Sequence, residues 1–309
     1  MADSADVCVL LPTYNEATTI GDVVDGFHEQ GFTDVVVVDG HSTDDTRDIA
    51  AAHGAEVFEQ SGSGRGAGKG QAVREALDRV VDDHEYVVLA DGDGTYDPAD
   101  APALLEPLRE GRAEHVVGNR FSDLRPGAMT RLNRLGNAAI NRLFRLAYGE
   151  RYGDILSGYR AFTTDSARRM QLHADGFGIE TEMAAECARG NVPTAVVGIT
   201  YRPRPDGSAT SLRPFRDGGR ILLTMYLRTK TSNPLVYFGT AGVAALLAGV
   251  AIWCFVAYEW FVRHVSHDVL AVVGAFAILV GVQLLMFGAL SDLVVTLHDE
   301  QLARLEERE

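Results

Sequence analysis

Two stretches near the end of the chain, residues 235–258 and 269–290, carry no charged side chain, and Gln283 is the only amide in the second. Each exceeds the roughly 20 residues that a helix needs to cross a bilayer with every backbone polar group satisfied internally. A buried hairpin in a soluble domain is the alternative, and two such runs in series weigh against it. The link between them is short, Arg263, His264, Val265, Ser266, His267 and Asp268, so the runs predict a transmembrane hairpin with both chain ends on one side. Arg213, Arg216, Arg220, Arg228 and Lys230 precede the first run. The positive-inside rule assigns that side to the cytoplasm, and Trp253, Tyr258 and Trp260 sit toward the other end, where an aromatic belt is expected. Residues 213–233 mix those cations with Phe215, Ile221, Leu222, Leu223, Met225, Tyr226 and Leu227. This composition predicts an amphipathic helix on the membrane surface, with an ordinary domain helix as the alternative. The expected organisation is therefore a domain over 1–212, an interfacial helix over 213–233, a hairpin over 234–298 and an acidic cytoplasmic tail over 299–309, in a multi-pass protein of the cell membrane.

Residues 1–212 have a different texture. Short apolar runs at 7–11, 35–38, 55–58, 86–90 and 115–118 alternate with helix-like segments at 19–31, 42–53 and 71–81. Strands alternating with helices predict an α/β domain, a mostly parallel sheet with helices on both faces. Ligands of such sheets bind beyond the carboxyl ends of the strands, where Asp39, Asp91 and Asp93 fall.

Composition narrows the class. The net charge is −15, and only Lys69 and Lys230 are lysines. An acidic chain lacks the basic footprint of a general nucleic-acid binder. An acidic, lysine-poor surface suits a high-salt cytoplasm in which self-repulsion is screened, although a GC-rich genome also favours arginine. Cys8, Cys187 and Cys254 have no metal-ligand spacing and predict no disulfide framework. The first six residues carry acids and no apolar run, so no secretory signal is expected there.

The chemistry centres on Asp91-Gly92-Asp93. Two carboxylates one residue apart at a strand end can hold a divalent cation, which can in turn bridge the oxygens of a diphosphate. A calcium loop of the EF-hand kind would need Gly at Tyr96 and Glu at Pro102, and has neither. The glycine-rich segment 61–70 is not a P-loop, because Ser63 stands at its first glycine and Gly70 at its Ser/Thr. It reads instead as a loop that brings Lys69 toward a diphosphate, or leaves it solvated.

Leu11-Pro12-Thr13-Tyr14-Asn15-Glu16, Val37-Val38-Asp39-Gly40, Asp91-Gly92-Asp93, Gly118-Asn119-Arg120 and Ser157-Gly158-Tyr159-Arg160 together resemble family 2 glycosyltransferases of the Rossmann-like GT-A fold. Glu182, and Arg204 before Gly207-Ser208, extend the match. Order and spacing are similar to dolichyl-phosphate hexosyltransferases, and most of all to the archaeal glucosyltransferases of N-glycosylation. The resemblance implies that Pro12, Tyr14 and Glu16 line a nucleotide pocket and that Asp39 bonds the base or ribose. It places Asp91 by the sugar and diphosphate, Asp93 (with Asp91) on Mg²⁺ or Mn²⁺, and Arg120 at phosphate oxygens of donor or acceptor. Arg131 and Arg134 fall in the acceptor-phosphate segment, and Arg204 and Ser208 in a loop that closes over the donor. Glu182 and Arg160 are weaker candidates: Glu182 near the sugar or a plain helix residue, Arg160 functional or paired with an acid such as Asp154. Thr95 and Thr210-Ser211-Leu212 depart from the mannose synthases and weigh against GDP-mannose.

The expected reaction is inverting transfer of one hexose from a nucleotide sugar, UDP-glucose before GDP-mannose, to dolichyl phosphate. A processive polysaccharide synthase would carry QxxRW, yet both tryptophans lie in or beside the first apolar run. A catalytically silent sugar-nucleotide sensor at the membrane is the reading from another class. The oligomeric state is left open.

Overall fold

The computed structural model describes residues 6–62, 68–174, 176, 178–205, 218–219, 223, 226 and 233–306. The chain divides into two compact units, Met1–Arg145 with Glu150–Ile221, and Leu146–Gly149 with Leu222–Glu309.

The first unit is built on β1 (Val7–Thr13), α1 (Ile20–Glu29), β2 (Asp34–Asp39), α2 (Thr46–Ala52), β3 (Glu56–Glu59), α3 (Lys69–Val80), β4 (Tyr86–Leu89), α4 (Ala101–Arg109), β5 (His115–Leu124), α5 (Arg131–Tyr148), β6 (Arg160–Thr163), α6 (Thr164–Arg169), α7 (Ile179–Arg189) and β7 (Thr194–Tyr201). These strands form one seven-stranded sheet in the order β3-β2-β1-β4-β6-β5-β7. All neighbours are parallel except β6, which runs antiparallel to both β4 and β5. The central strands are apolar throughout because both of their faces are covered. Val7, Val9 and Leu11 pack with α1 residues Ile20, Val24 and Phe27. Cys8 and Leu10, on the opposite pleat, pack with α3 residues Val73 and Leu77 and α7 residue Met183. Leu10 and Leu11 are fully buried, and truncating either to alanine should cost about 2–5 kcal/mol.

The topology positions the site. From β1 the chain winds outward through β2 and β3, then returns to β4 on the other side of β1. The strand order reverses between β1 and β4, which opens a crevice at their carboxyl ends. Segments 14–16 and 91–93 lie at those ends.

The α/β expectation holds, and the five expected strands are present. Three adjustments follow. α2 begins at Thr46 rather than in the 42–44 run, because Ser42 to Asp44 make turn contacts: Ser42 N–H donates to Asp39 Oδ2 and Asp44 Oδ1 accepts from Thr46 N–H. β6 and β7 complete the sheet. Finally, α5 is a long helix whose Ile140 and Phe144 are buried while Leu132, Leu135 and Leu143 are 51%, 70% and 47% exposed.

The second unit contains α8 (Pro234–Tyr258) and α9 (Asp268–Glu306). Two helical stretches, Pro234–Arg263 and Asp268–Leu297, are long and apolar enough to cross a membrane, with mean hydropathies of 2.1 and 2.6. Glycines let the two helices close. A Cβ on Gly249 would lie 2.7 Å from the Gly274 carbonyl oxygen, and one on Gly281 would lie 2.8 Å from that of Gly242, the close backbone approach that small residues permit between apolar helices. A π-helical turn, Glu259–Arg263, and a left-handed His264 end the first helix. α9 runs on to Glu306, so most of the segment expected as an acidic tail forms its last turns. The interfacial helix expected over 213–233 and the loop residue Ser208 fall almost wholly outside the described residues.

Candidate functional site

The crevice starts from β1. Pro12 is buried in the strand, and Tyr14 is half-buried just beyond it. Asn15 takes a left-handed conformation (φ 55°), which asparagine tolerates. Its N–H donates to Ser42 Oγ (2.8 Å) and its Oδ1 accepts from Thr43 N–H (2.8 Å). Glu16 N–H donates to Thr46 Oγ1 (2.9 Å). These bonds tie the loop after β1 to the loop after β2 and turn Glu16 into the site.

Asp39 ends β2 fully buried, next to Thr13 in the sheet register. Oδ2 accepts from Ser42 N–H at 2.8 Å and so caps the turn that follows β2. Asp39 Oδ1 and Thr13 Oγ1 are buried and make no hydrogen bond among the described residues. Two unpaired polar atoms side by side at strand ends are costly unless a ligand or water completes them.

Asp91 and Asp93 follow β4. Thr19 Oγ1 donates to the Gly92 carbonyl at 2.8 Å, and a side chain at Gly92 would strike Thr13 Cγ2 at 2.5 Å. Only glycine lets this turn pack against β1. Asp93 Oδ1 accepts from Thr95 N–H (3.0 Å) and Oγ1 (2.6 Å), and Oδ2 accepts from Arg204 Nη2 (2.5 Å). Arg204 Nη1 also reaches Glu16 Oε1 at 3.3 Å. Asp91 is ion-paired to Lys69, the first residue of α3, and Lys69 Nζ lies 2.5 Å from Glu180 Oε1 in the first turn of α7. Burial pushes the Asp91 carboxyl above its usual range and the charges of Asp93 and Glu180 push the same way, while Lys69 opposes them. Burial alone would lower Lys69, but Asp91 and Glu180 outweigh it and hold the ammonium charged. Arg204 behaves alike: burial lowers it, and Asp93 and Glu16 raise it by more.

Among the described residues, no group of three or more His, Cys, Asp or Glu is arranged to hold a metal by itself. The Asp91–Asp93 pair still fits a divalent cation of the magnesium class. Both offer hard carboxylate oxygens, their mutual repulsion would be relieved by one, and such ions are commonly held by one or two carboxylates with phosphate oxygens completing the shell.

Arg120 borders the same crevice, over the ring of Tyr201, whose hydroxyl also feels the charges of Asp91 and Asp93. Arg120 is buried and closed on Asp154 through Nε–Oδ2 (2.6 Å) and Nη2–Oδ1 (2.8 Å), with Asn137 Nδ2 also donating to Asp154 (3.2 Å). As described, its fork grips a carboxylate rather than standing open for phosphate. The suggested Arg160–Asp154 pair is thus corrected. Arg160 is fully buried and donates to the carbonyls of Ser157 (3.0 Å) and Ile155 (2.7 Å), with Nη1 3.1 Å from His115 Nε2. Glu182 accepts from the N–H groups of His173 (2.9 Å) and Ala174 (2.6 Å) and so anchors that loop. Glu180 is the residue missed. Two residues apart on a helix, Glu180 and Glu182 face nearly opposite ways, and only Glu180 turns to Lys69. Arg131 and Arg134 are exposed on α5, where a groove of about 440 Å³ is lined by Phe121, Arg134, Leu135, Ala138, Asn141 and Gly153.

A family model described as glycosyl transferase family 2 matches residues 8–168. The chain is 58% identical to "Glycosyltransferase AglJ" of Haloferax volcanii over 98% of both chains. It is 35% identical to a "Dolichyl-phosphate hexose transferase" of the same organism, over 70% of this chain and 90% of that one. Among solved structures, a mannosyl-3-phosphoglycerate synthase from Rubrobacter xylanophilus superposes with a TM-score of 0.59 at 25% identity, covering 72% of this chain and 73% of that one. A glucosyl-3-phosphoglycerate synthase from Mycobacterium tuberculosis, in complex with Mn²⁺, UDP-glucose and phosphoglyceric acid, superposes at 0.58 over 73% of this chain and 80% of that one. At 24% identity this last likeness speaks for the fold alone.

Proposed function

The chain belongs to glycosyl transferase family 2, and from that premise we propose that it moves one hexose, with inversion, from a nucleotide sugar to dolichyl phosphate at the cytoplasmic face of the cell membrane. UDP-glucose is the favoured donor and GDP-mannose the next, and the lipid-linked sugar would serve protein N-glycosylation. The observation that carries this reading is the cluster at the β1–β4 crevice, where Asp91 and Asp93 stand with Lys69 and Arg204 beside the unpaired oxygens of Asp39 and Thr13.

An oxygen of the lipid phosphate attacks the anomeric carbon, the bond from that carbon to the diphosphate breaks, and the nucleoside diphosphate leaves with the electron pair. A phosphate monoester is largely dianionic at neutral pH, since its second pKa is about 6, so no general base is required. The protein's task is to position two anionic groups and stabilise the leaving one. Asp39 and the 12–16 loop suit the nucleoside. Lys69 and Arg204 supply cations at the diphosphate. A divalent cation at Asp91 and Asp93 would neutralise charge on the leaving diphosphate.

For the acceptor, Arg134 in a groove with Phe121, Leu135 and Ala138 suits a phosphate head on an apolar chain, and Arg131 lies one turn away. The two apolar helices support membrane attachment, and the cations before the first support the cytoplasmic side. The domain boundaries follow the same reading: 1–212 catalytic, 213–233 interfacial, 234–298 anchoring.

The test is Asp93→Ala in the full-length protein. Metal-dependent turnover and metal-dependent nucleotide binding should both fall at least about a hundredfold, with a loss of stability of about 1–3 kcal/mol, because Asp93 is buried and its bonds from Thr95 and Arg204 go with it. Unchanged turnover would overturn the assignment.

A further inference from the structure

The buried ammonium of Lys69 is held from two sides, and only one of its partners belongs to the Asp-Gly-Asp motif. An ammonium has three N–H donors. One goes to Asp91 Oδ1 and one to Glu180 Oε1, 2.5 Å away. The backbone of Gly158 closes a further side: a Cβ there would lie 2.9 Å from Lys69 Nζ and from Asp91 Oδ2. Lys69 and Glu180 side chains are 11% and 7% exposed, whereas Asp91 is 28% exposed. The opening to the crevice therefore lies on the Asp91 side, with Glu180 behind.

We propose that Glu180 is a positioning residue of the donor site, acting through Lys69: it clamps the ammonium from behind so that the third N–H faces the crevice, toward a diphosphate oxygen. This rests on reading the crevice as a nucleotide-sugar site. Asp91 alone would let the ammonium swing down onto the carboxylate; a second carboxylate fixes the nitrogen between two anchors. α7 presents Glu180 from a rigid first turn, packed into the core by Ile179 and Met183. Arg160 lies close enough to share its field.

The experiment is a double-mutant cycle on the purified full-length protein, with UDP and GDP as probes in the presence of Mn²⁺, and with Mn²⁺ alone. Lys69→Gln and Glu180→Gln should each weaken binding of the preferred nucleotide about tenfold or more, the scale of one charge-assisted hydrogen bond. The double variant should be no weaker than Lys69→Gln, because Glu180 then has nothing left to aim. Mn²⁺ binding by Glu180→Gln should stay within about threefold of the parent. Glu180→Asp keeps the charge and withdraws it by one methylene; it should show the same loss for nucleotide and serves if the Gln variant does not fold. Additive losses, or unchanged nucleotide binding in Glu180→Gln or Glu180→Asp, would overturn the proposal. So would a loss of Mn²⁺ binding matching the loss of nucleotide, since Glu180 would then be a metal ligand. If the parent protein binds neither nucleotide, the donor-site reading itself fails and takes this inference with it.

Discussion

Single side chains decide both the chemistry and the acid stability of the catalytic unit. Arg131 is exposed on α5 and free of the core, so Arg131→Ala should leave the fold intact. It should raise the KM for lipid phosphate about three- to tenfold, the worth of one phosphate contact, with little change in the KM for donor. Steady-state kinetics with each substrate varied separately checks this, and an effect confined to the donor would move Arg131 out of the acceptor site. His115 is fully buried beside Arg160, and burial first, then that cation, hold its pKa well below the ordinary 6.5. The folded protein keeps the ring neutral while the unfolded chain protonates it, so stability is intact above about pH 6.5 and falls as pH drops below it. The slope from this one group is about 1.4 kcal/mol per pH unit until the native ring also protonates. Between pH 7.5 and pH 5.5 the parent should lose about 1.4 kcal/mol more stability than His115→Gln, and an equal loss in the two proteins would contradict the assignment. At this scale the sequence was legible where function is local. Asp91, Asp93 and Asp39 stand at strand ends, and a strand with its turn can be read from adjacent residues. The partners of Arg120 and Lys69 were not legible. Asp154 is 34 positions from Arg120, and Glu180 reaches Lys69 across the sheet's second face. Nothing local distinguishes Glu180 from Glu182 except the direction a helix turn gives them.

Secondary-structure elements were legible in proportion to how regular their neighbours are. The parallel strands β1, β2 and β4 announce themselves as short apolar runs, continuous because both faces are covered. β6 does not: four residues long and antiparallel between β4 and β5, it owes its state to two strands distant in sequence. α5 escaped although its pattern was legible. Its apolar residues form one broad face opposite the arginines, at helical period, but Ile140 and Phe144 of that face are buried while Leu132, Leu135 and Leu143 stay exposed. The α8–α9 hairpin was legible from composition, but its closeness was not, because it depends on which glycines meet. Gly249→Leu places a side chain where even a Cβ would lie 2.7 Å from the Gly274 carbonyl oxygen. Spreading the helices should cost about 1–3 kcal/mol. Thermal unfolding of the detergent-solubilised protein should drop accordingly, while Ala244→Leu on the same helix serves as a control for added bulk.

For the molecule as a whole, one chain carries a family 2 glycosyltransferase domain and two helices able to cross a membrane. That combination suits a reaction in which a water-soluble donor meets an acceptor confined to the bilayer. Its net charge of −15 with two lysines agrees with relatives from Haloferax volcanii. The central claim is that the acceptor is a lipid phosphate and the donor a UDP-hexose. The most direct measurement supplies membranes containing the protein with dolichyl phosphate, Mg²⁺ or Mn²⁺, and radiolabelled UDP-glucose, UDP-GlcNAc, UDP-galactose and GDP-mannose in separate reactions. The expected result is label in the lipid fraction from UDP-glucose, dependent on the metal and absent with Asp93→Ala. Nucleotide binding without lipid labelling from any donor would contradict it, and would favour a non-lipid acceptor or a silent sensor.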